Sequence, residues 1–363
     1  MNSILLVGGT WDFQGGKKSR VVEKFAREFS YVTVYNGGYY FDLHRIIETS
    51  IYFDVVLWWA NVPNDMPKVR NVKEINYKAL LVTSKRNNGE YTFEELLQRS
   101  LEAKANLTIE FSEKGKVFNM RLFDPLGNLW YDGASIISCA EKMQKRLEFL
   151  STITREPTIS SDIKLEDLNL SDDTFNEDFL GIVRNYANVF AEAIFQTKDV
   201  KRFLGNASFR CPKGFPSFRQ GDLIFVSRRN VNKEFISAQD FVPVYMKDGK
   251  IYYIGENKPS VDTPIQVRLY KMFPNINFMI HSHCYIKNAL FTDRIVPCGA
   301  IEEVDEIERA VKKFYNGNFE RVAYVLNLRG HGSIMMSKDP ELLKDINIVG
   351  RQLPEIPKQK NNR

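Results

Sequence analysis

Ile276-Asn277-Phe278-Met279-Ile280-His281-Ser282-His283 is the stretch that decides how the second half of this chain is read. Its apolar run predicts a strand, and on a strand residues i and i+2 face the same way. His281 and His283 then present two imidazoles on one face at a strand end, which suits chelation of zinc and its neighbours. Further on, Val322 to Leu328 predicts a second strand that runs into Gly330-His331-Gly332. Flanking glycines let the backbone turn sharply and approach a site closely. The chain holds four histidines, so placing three of them in two short motifs is informative. The fourth, His44, reads as a surface or packing residue. Alone, an HxH on a strand is more often surface alternation, and a lone GHG says less. Three imidazoles with a fourth position left open are the pattern of a catalytic metal site rather than a structural one.

Four further segments precede these motifs. They are Gly205-Asn206-Ala207-Ser208-Phe209-Arg210, Asp222 to Arg229 (DLIFVSRR), Asp240 to Gly249, and Lys258-Pro259-Ser260-Val261-Asp262-Thr263. In this order, and followed by HSH and GHG, they resemble the class II aldolase/adducin family over about residues 176–350. The resemblance implies a class II aldolase-like α/β/α domain and a divalent metal on His281, His283 and His331, zinc first, with Mn, Co or Fe as alternatives. It implies Asp262 as the catalytic acid/base, and Asn206, Ser227, Arg228 and Ser260 around the phosphate of a sugar-like substrate. It also implies a homo-oligomer, a tetramer in most of the family. The expected reaction is aldol-type carbon–carbon cleavage of a phosphorylated sugar or related aldehyde through a metal-stabilised enediolate. Epimerisation and dehydration at the same site are the alternatives, as is a non-catalytic, adducin-like binding role.

Two positions depart from the family pattern. Asp262 stands where the family usually has Glu, one methylene shorter, and proton transfer demands hydrogen-bond contact. Arg228 replaces a glycine, which puts a fork-shaped cation beside the anion loop. Family members often use a tyrosine near the C-terminus, and none follows Gly350. Tyr285, near the HSH pair, reads as a packing residue.

The first half alternates strand and helix. Residues 3–8 predict a buried strand broken by Gly8-Gly9, and 18–29 a helix. Val32 to Tyr35 predicts a strand ended by Asn36-Gly37-Gly38. Strands over Asp54 to Trp59 and Lys78 to Thr83 follow, with helices over Leu43 to Ser50 and Phe93 to Lys104. Leu107 to Glu110 and Phe118 to Phe123 add strands, and Gly133 to Leu150 a helix. This is the pattern of a Rossmann-like parallel α/β sheet. Gly8, Gly9, Thr10, Gly15, Gly16 and Lys17 join the first strand to the first helix, where open α/β sheets bind phosphates. The run matches neither a Walker A loop nor GxGxxG. A nucleotide or sugar-phosphate loop and a glycine-rich packing turn both remain open readings.

At 363 residues, two domains of about 150–200 residues are expected. Composition shifts to Ser, Thr, Pro and acidic residues between Thr152 and Glu177. The expected division is therefore 1–151, a linker 152–177, the metal domain 178–352 and a loose tail 353–363. Fifty basic against 45 acidic residues leave a net charge of +5, spread without a basic face, so no nucleic-acid partner is expected. No apolar run reaches a membrane-spanning length, and Ile4 to Val7 meets glycine too soon for a signal peptide. Four scattered cysteines without a CxxC pair suit a reducing compartment. A cytoplasmic protein is expected.

Overall fold

The computed structural model describes residues 3–67, 69–114, 117–168, 170, 174–194, 205–211 and 223–351. The chain divides into two compact units between Ile153 and Thr154. Asp222 and the tail 353–363 lie outside the described residues.

The first unit contains β1 (Ile4–Asp12), α1 (Arg20–Ala26), β2 (Val32–Tyr39), α2 (Tyr40–Thr49), β3 (Val55–Asn61), β4 (Ala79–Arg86), α3 (Phe93–Glu102), β5 (Leu107–Lys114), β6 (Val117–Phe123), β7 (Leu129–Gly133) and α4 (Ile136–Thr152). The sheet order is β2-β1-β3-β4-β5-β6-β7. Pairing is parallel from β2 through β5, then antiparallel to β7. Ile4, Leu5, Leu6 and Val7 are fully buried, which is why this strand reads as an unbroken apolar run rather than an alternation. Helix starts follow capping chemistry. The Ser19 hydroxyl accepts from Val22 N–H, and Thr92 and Glu95 close a capping box on α3.

Glycine does not end the first two strands, contrary to expectation. β1 runs through Gly8 and Gly9 to Asp12 because its pairing with β3 continues to Thr10 opposite Asn61. The irregularity is confined to the β2 side, between Gly8 and Trp11. β2 likewise carries Asn36-Gly37-Gly38 to Tyr39.

The second unit contains β8 (Thr158–Ser160), α5 (Glu177–Ile194), β9 (Asn206–Arg210), β10 (Ile224–Ser227), β11 (Phe241–Lys247), β12 (Lys250–Tyr253), α6 (Thr263–Met272), β13 (Phe278–Ser282), β14 (Tyr285–Ile286), β15 (Leu290–Phe291), α7 (Glu302–Phe314), β16 (Ala323–Leu328), β17 (Gly332–Ser337) and β18 (Ile348–Gly350). Nine strands form one sheet in the order β15-β16-β17-β13-β9-β10-β11-β12-β8, antiparallel except at its two edges. The stretch expected as linker supplies β8, because Thr158–Ser160 finds a parallel partner in Ile251–Tyr253. Ile265 and Leu269 of α6 and Ile307 and Val311 of α7 pack with Val244, Met279 and Leu326 of the sheet in one core. Among the described residues no helix is long and apolar enough to cross a membrane.

Candidate metal centre

β13 is the fourth of the nine strands, an interior strand between β17 and β9. It brings His281 into the interior, 4% exposed, and His283 follows one residue past the strand. His331 sits in the tight turn from β16 to β17, where Leu328 pairs with Gly332. Two glycines permit this closeness. A Cβ on Gly332, whose φ is +139°, would lie 1.8 Å from the Ser282 carbonyl oxygen. A Cβ on Gly205, at φ +73°, would lie 2.0 Å from the His281 oxygen. Only glycine lets β17 and the start of β9 close on β13 at this level. Tyr285, 1% exposed, accepts a hydrogen bond from Gly330 N–H at 2.8 Å and so braces the turn that carries His331.

The three imidazoles converge. Ring centroids are 5.1 Å apart for His281 and His283, 4.6 Å for His281 and His331, and 5.3 Å for His283 and His331. A ligand nitrogen from each lies within 4.8 Å of the others. His281 Nδ1 faces the Ser333 carbonyl at 2.9 Å, so it carries the proton and donates. His331 Nδ1 lies 2.8 and 3.0 Å from the two oxygens of Glu303. Both Nε2 atoms are buried without a hydrogen-bond partner. Unsatisfied buried polar atoms are costly and rare. An anchored Nδ1 with a bare Nε2 is how proteins orient metal-binding histidines. The residues present therefore fit a divalent metal.

Asp262 is the N-cap residue of α6, yet its side chain does not cap the helix. Its Oδ2 accepts from Asn206 Nδ2 at 2.9 Å and lies 3.9 Å from His281 Nε2. Asn206 Nδ2 also donates to Ser260 Oγ at 3.2 Å, and Asn206 Oδ1 accepts from Gln266 Nε2. Asn206, Ser260 and Asp262 thus form one braced polar edge beside the histidines. Ser227 is fully buried, with its hydroxyl accepting from Ala207 N–H at 3.1 Å, so it ties β10 to β9. Arg228 is paired with Asp240 at 2.8 Å and its side chain is 43% exposed.

Electrostatics couple these groups. Burial pushes His281 down to about 4, helped by the neighbouring His331. His283 also falls well below the usual imidazole range through burial and its two histidine neighbours. Burial acts to lower His331 as well, but the Glu303 carboxylate overrides it and carries His331 well above its ordinary value. Burial would raise Asp262, and the three imidazoles together hold it below the ordinary carboxylate value instead. Glu303 and Asp262 thus both favour the protonated form of His331, while burial raises Glu303 itself above the ordinary carboxylate value. A metal cation on the Nε2 side would take over the role of that proton.

Four participants carry no motif signal of their own. Glu303 is 3% exposed, and a carboxylate that deep costs several kcal/mol (order of magnitude) unless it is paired. It lies on the inner face of α7, four residues before the buried Ile307, and shares that face with a second buried carboxylate, Glu306. Ser333 contributes a backbone oxygen, which no side-chain pattern reveals. Lys233 is 9% exposed, and burial pushes it down to about 8 against the pull of Asp262. Cys298 is a lone thiol in the sequence, yet its Sγ lies 3.3 Å from Asp262 Oδ1.

The first unit's loop assembles differently. A Cβ on Gly8 would lie 2.6 Å from the Val22 side chain, one on Gly9 2.6 Å from Gly37 N, and one on Gly16 1.9 Å from the Thr10 oxygen. Gly15 packs under the Tyr39 ring, and the Lys17 carbonyl accepts from Thr10 N–H at 2.9 Å. Gly8, Gly9 and Gly16 are thus held to glycine by close packing. α1 has seven residues, too few to set up a substantial end field. His44 packs edge-on against Tyr40.

Residues 189–346 match the model of the family described as Class II Aldolase and Adducin N-terminal domain. Similar solved structures include YgbL from Klebsiella pneumoniae, 16% identical, covering 48% of this chain and 84% of that one with a TM-score of 0.31. L-fuculose 1-phosphate aldolase is 16% identical, covering 48% and 83% with a TM-score of 0.32. An aldolase II superfamily protein from Pseudomonas syringae is 15% identical, covering 48% and 70% with a TM-score of 0.31. Superpositions this loose carry no argument. The family match over residues 189–346 does, and the second unit carries a class II aldolase/adducin-type domain.

Proposed function

We propose that the second unit is a divalent-metal lyase that cleaves a carbon–carbon bond in a phosphorylated sugar or related aldehyde. The observation that carries this reading is the pair of buried, unpartnered Nε2 atoms on His281 and His331, each oriented by an anchored Nδ1. His281, His283 and His331 would hold the metal, with zinc the first choice for three imidazoles and Mn, Co or Fe the alternatives. When bound, the metal supplies Lewis-acid polarisation of the substrate's carbonyl and hydroxyl oxygens.

The remaining chemistry falls to side chains of this chain. Asp262 takes and returns the proton at the substrate hydroxyl or carbon, with Asn206 fixing its Oδ2. Ser260 and Asn206 meet the anionic end of the substrate, and the Lys233 ammonium adds charge there. Ser227 braces the strands behind them, and an anion at Arg228 would compete with Asp240. The short Asp262 side chain sets how far the reacting atom stands from the histidines. A family-type homotetramer belongs to the same reading, and light scattering on the purified protein checks it.

Elemental analysis of wild type beside His281→Ala/His283→Ala is the deciding test. About one Zn, Mn, Co or Fe per chain, absent from the variant, supports the reading. Ketose phosphates are then screened for release of an aldehyde. A protein that takes up no metal when supplied with each of these ions removes the catalytic proposal and leaves a binding role. Epimerisation or dehydration would show as isomer or water-loss products in the same screen.

A further inference from the structure

Cys298 is set into the site by a fixed turn. Ala300 N–H donates to the Pro297 carbonyl at 3.1 Å, and Arg155 Nη2 donates to the Cys298 carbonyl at 3.3 Å. Gly299, at φ +77°, lets the turn press on Val261, next to Asp262: a Cβ there would lie 2.6 Å from the Val261 side chain. The Cys298 sulfur donates to Asp262 Oδ1 at 3.3 Å. Asp262, Cys298 and His331 offer ligand atoms within 4.8 Å of one another, and so do His281, His283 and His331. His331 belongs to both groups. Its Nε2 is buried and without a hydrogen-bond partner.

We propose that Cys298 is a sulfur ligand to the same ion the three histidines hold, giving a donor set of three imidazole nitrogens and one thiolate with Asp262 beside it. This rests on the metal reading of the preceding section. Three imidazoles with an oxygen accept most divalent first-row metals, whereas thiolate is soft and favours Zn, Co and Cd over Mg and Mn. The sulfur thereby sets which metal the site takes. Cys298 is solvent-exposed, so a thiol reagent reaches it. Cys139 and Cys284 are buried, and the half-buried Cys211 is present equally with and without zinc, so the difference in count reads Cys298.

The test loads the full-length protein with Co(II) and reads its absorption. Expected are visible d–d bands together with a near-ultraviolet sulfur-to-cobalt band. In Cys298→Ser the visible bands persist and the near-ultraviolet band is gone. Cadmium binding should weaken by more than about tenfold in the variant, since even outer partners of a ligand cost that much, while Mn binding stays within about twofold. In wild type, bound zinc should also shield one thiol from Ellman's reagent, a readout that needs no variant. Visible bands without the sulfur band, or a sulfur band unchanged in Cys298→Ser, would overturn the sulfur ligand and leave the histidine site standing. No cobalt uptake at all would remove both.

Discussion

The two units show glycine beside chemistry-bearing residues in the same way, and they use it for opposite ends. In the first, Gly8, Gly9 and Gly16 are filled against by Val22, Gly37 and Thr10, and the N–H groups of Thr10, Gly15 and Gly16 donate to backbone carbonyls. In the second, Gly205 and Gly332 bring backbone against β13 and leave two imidazole nitrogens bare. The difference lies in what stays unsatisfied. A close approach that consumes every donor and acceptor is packing. One that strands polar atoms in the interior points to something else that binds there.

The sharpest way to break this comparison is to add a methyl group in each place. Gly332→Ala should destabilise by roughly 3–5 kcal/mol, since φ +139° and a contact of 1.8 Å on Ser282 are both violated, and it should abolish metal uptake. Gly16→Ala should cost roughly 2 kcal/mol and leave metal content unchanged. Urea unfolding and elemental analysis on both variants decide the matter, and metal lost from Gly16→Ala would erase the distinction.

Next in size is Glu303→Gln. It keeps the shape of the side chain and removes the charge that orients His331, so metal affinity should fall about 10- to 100-fold with urea stability nearly intact. Competition against a chromophoric chelator measures it, and an unchanged affinity would reduce Glu303 to a packing group. Lys233→Met then probes the anionic end. Loss of a charged donor should raise KM for a phosphorylated substrate about tenfold, with kcat less affected. A rise of the same size for the unphosphorylated analogue would sever Lys233 from phosphate.

A last test belongs to the first unit, needs no ligand and shows only at alkaline pH. Burial pushes the Cys139 thiol up from 9.0 to about 12, so the folded chain keeps a proton that the unfolded chain releases. The stability this contributes is complete below pH 9 and is lost as pH rises toward about 12. The slope is about 1.4 kcal/mol per pH unit in that window. Cys139→Ala should flatten the curve of unfolding free energy against pH by that amount.

What the sequence shows plainly depends on range. The apolar runs of β1, β3 and β4 and the helical spacing of α3 and α4 are local patterns, and they are legible. The histidines stand out because there are only four in the chain. Strand ends were less legible, because β1 outlasts its glycines through pairing with β3, a neighbour many residues away. β8 hides in a polar stretch because an edge strand needs little apolar surface. Glu303 sits next to Glu302, an equal in composition, and only the helix face separates them. Cys298 and Lys233 carry no spacing signal at all. Their meaning comes from Asp262, which tertiary structure alone brings near.

His281 stands on an interior strand of a nine-stranded sheet rather than on a loop, with β9 and β17 bonded to that strand on both sides. Such a place exchanges its amide hydrogens only when the whole unit opens. A chelator should therefore strip the ion and leave those amides as slow as before, with the three rings waiting in register. The centre would then behave as a rigid socket, refilled at the pace of ion diffusion and desolvation rather than of folding.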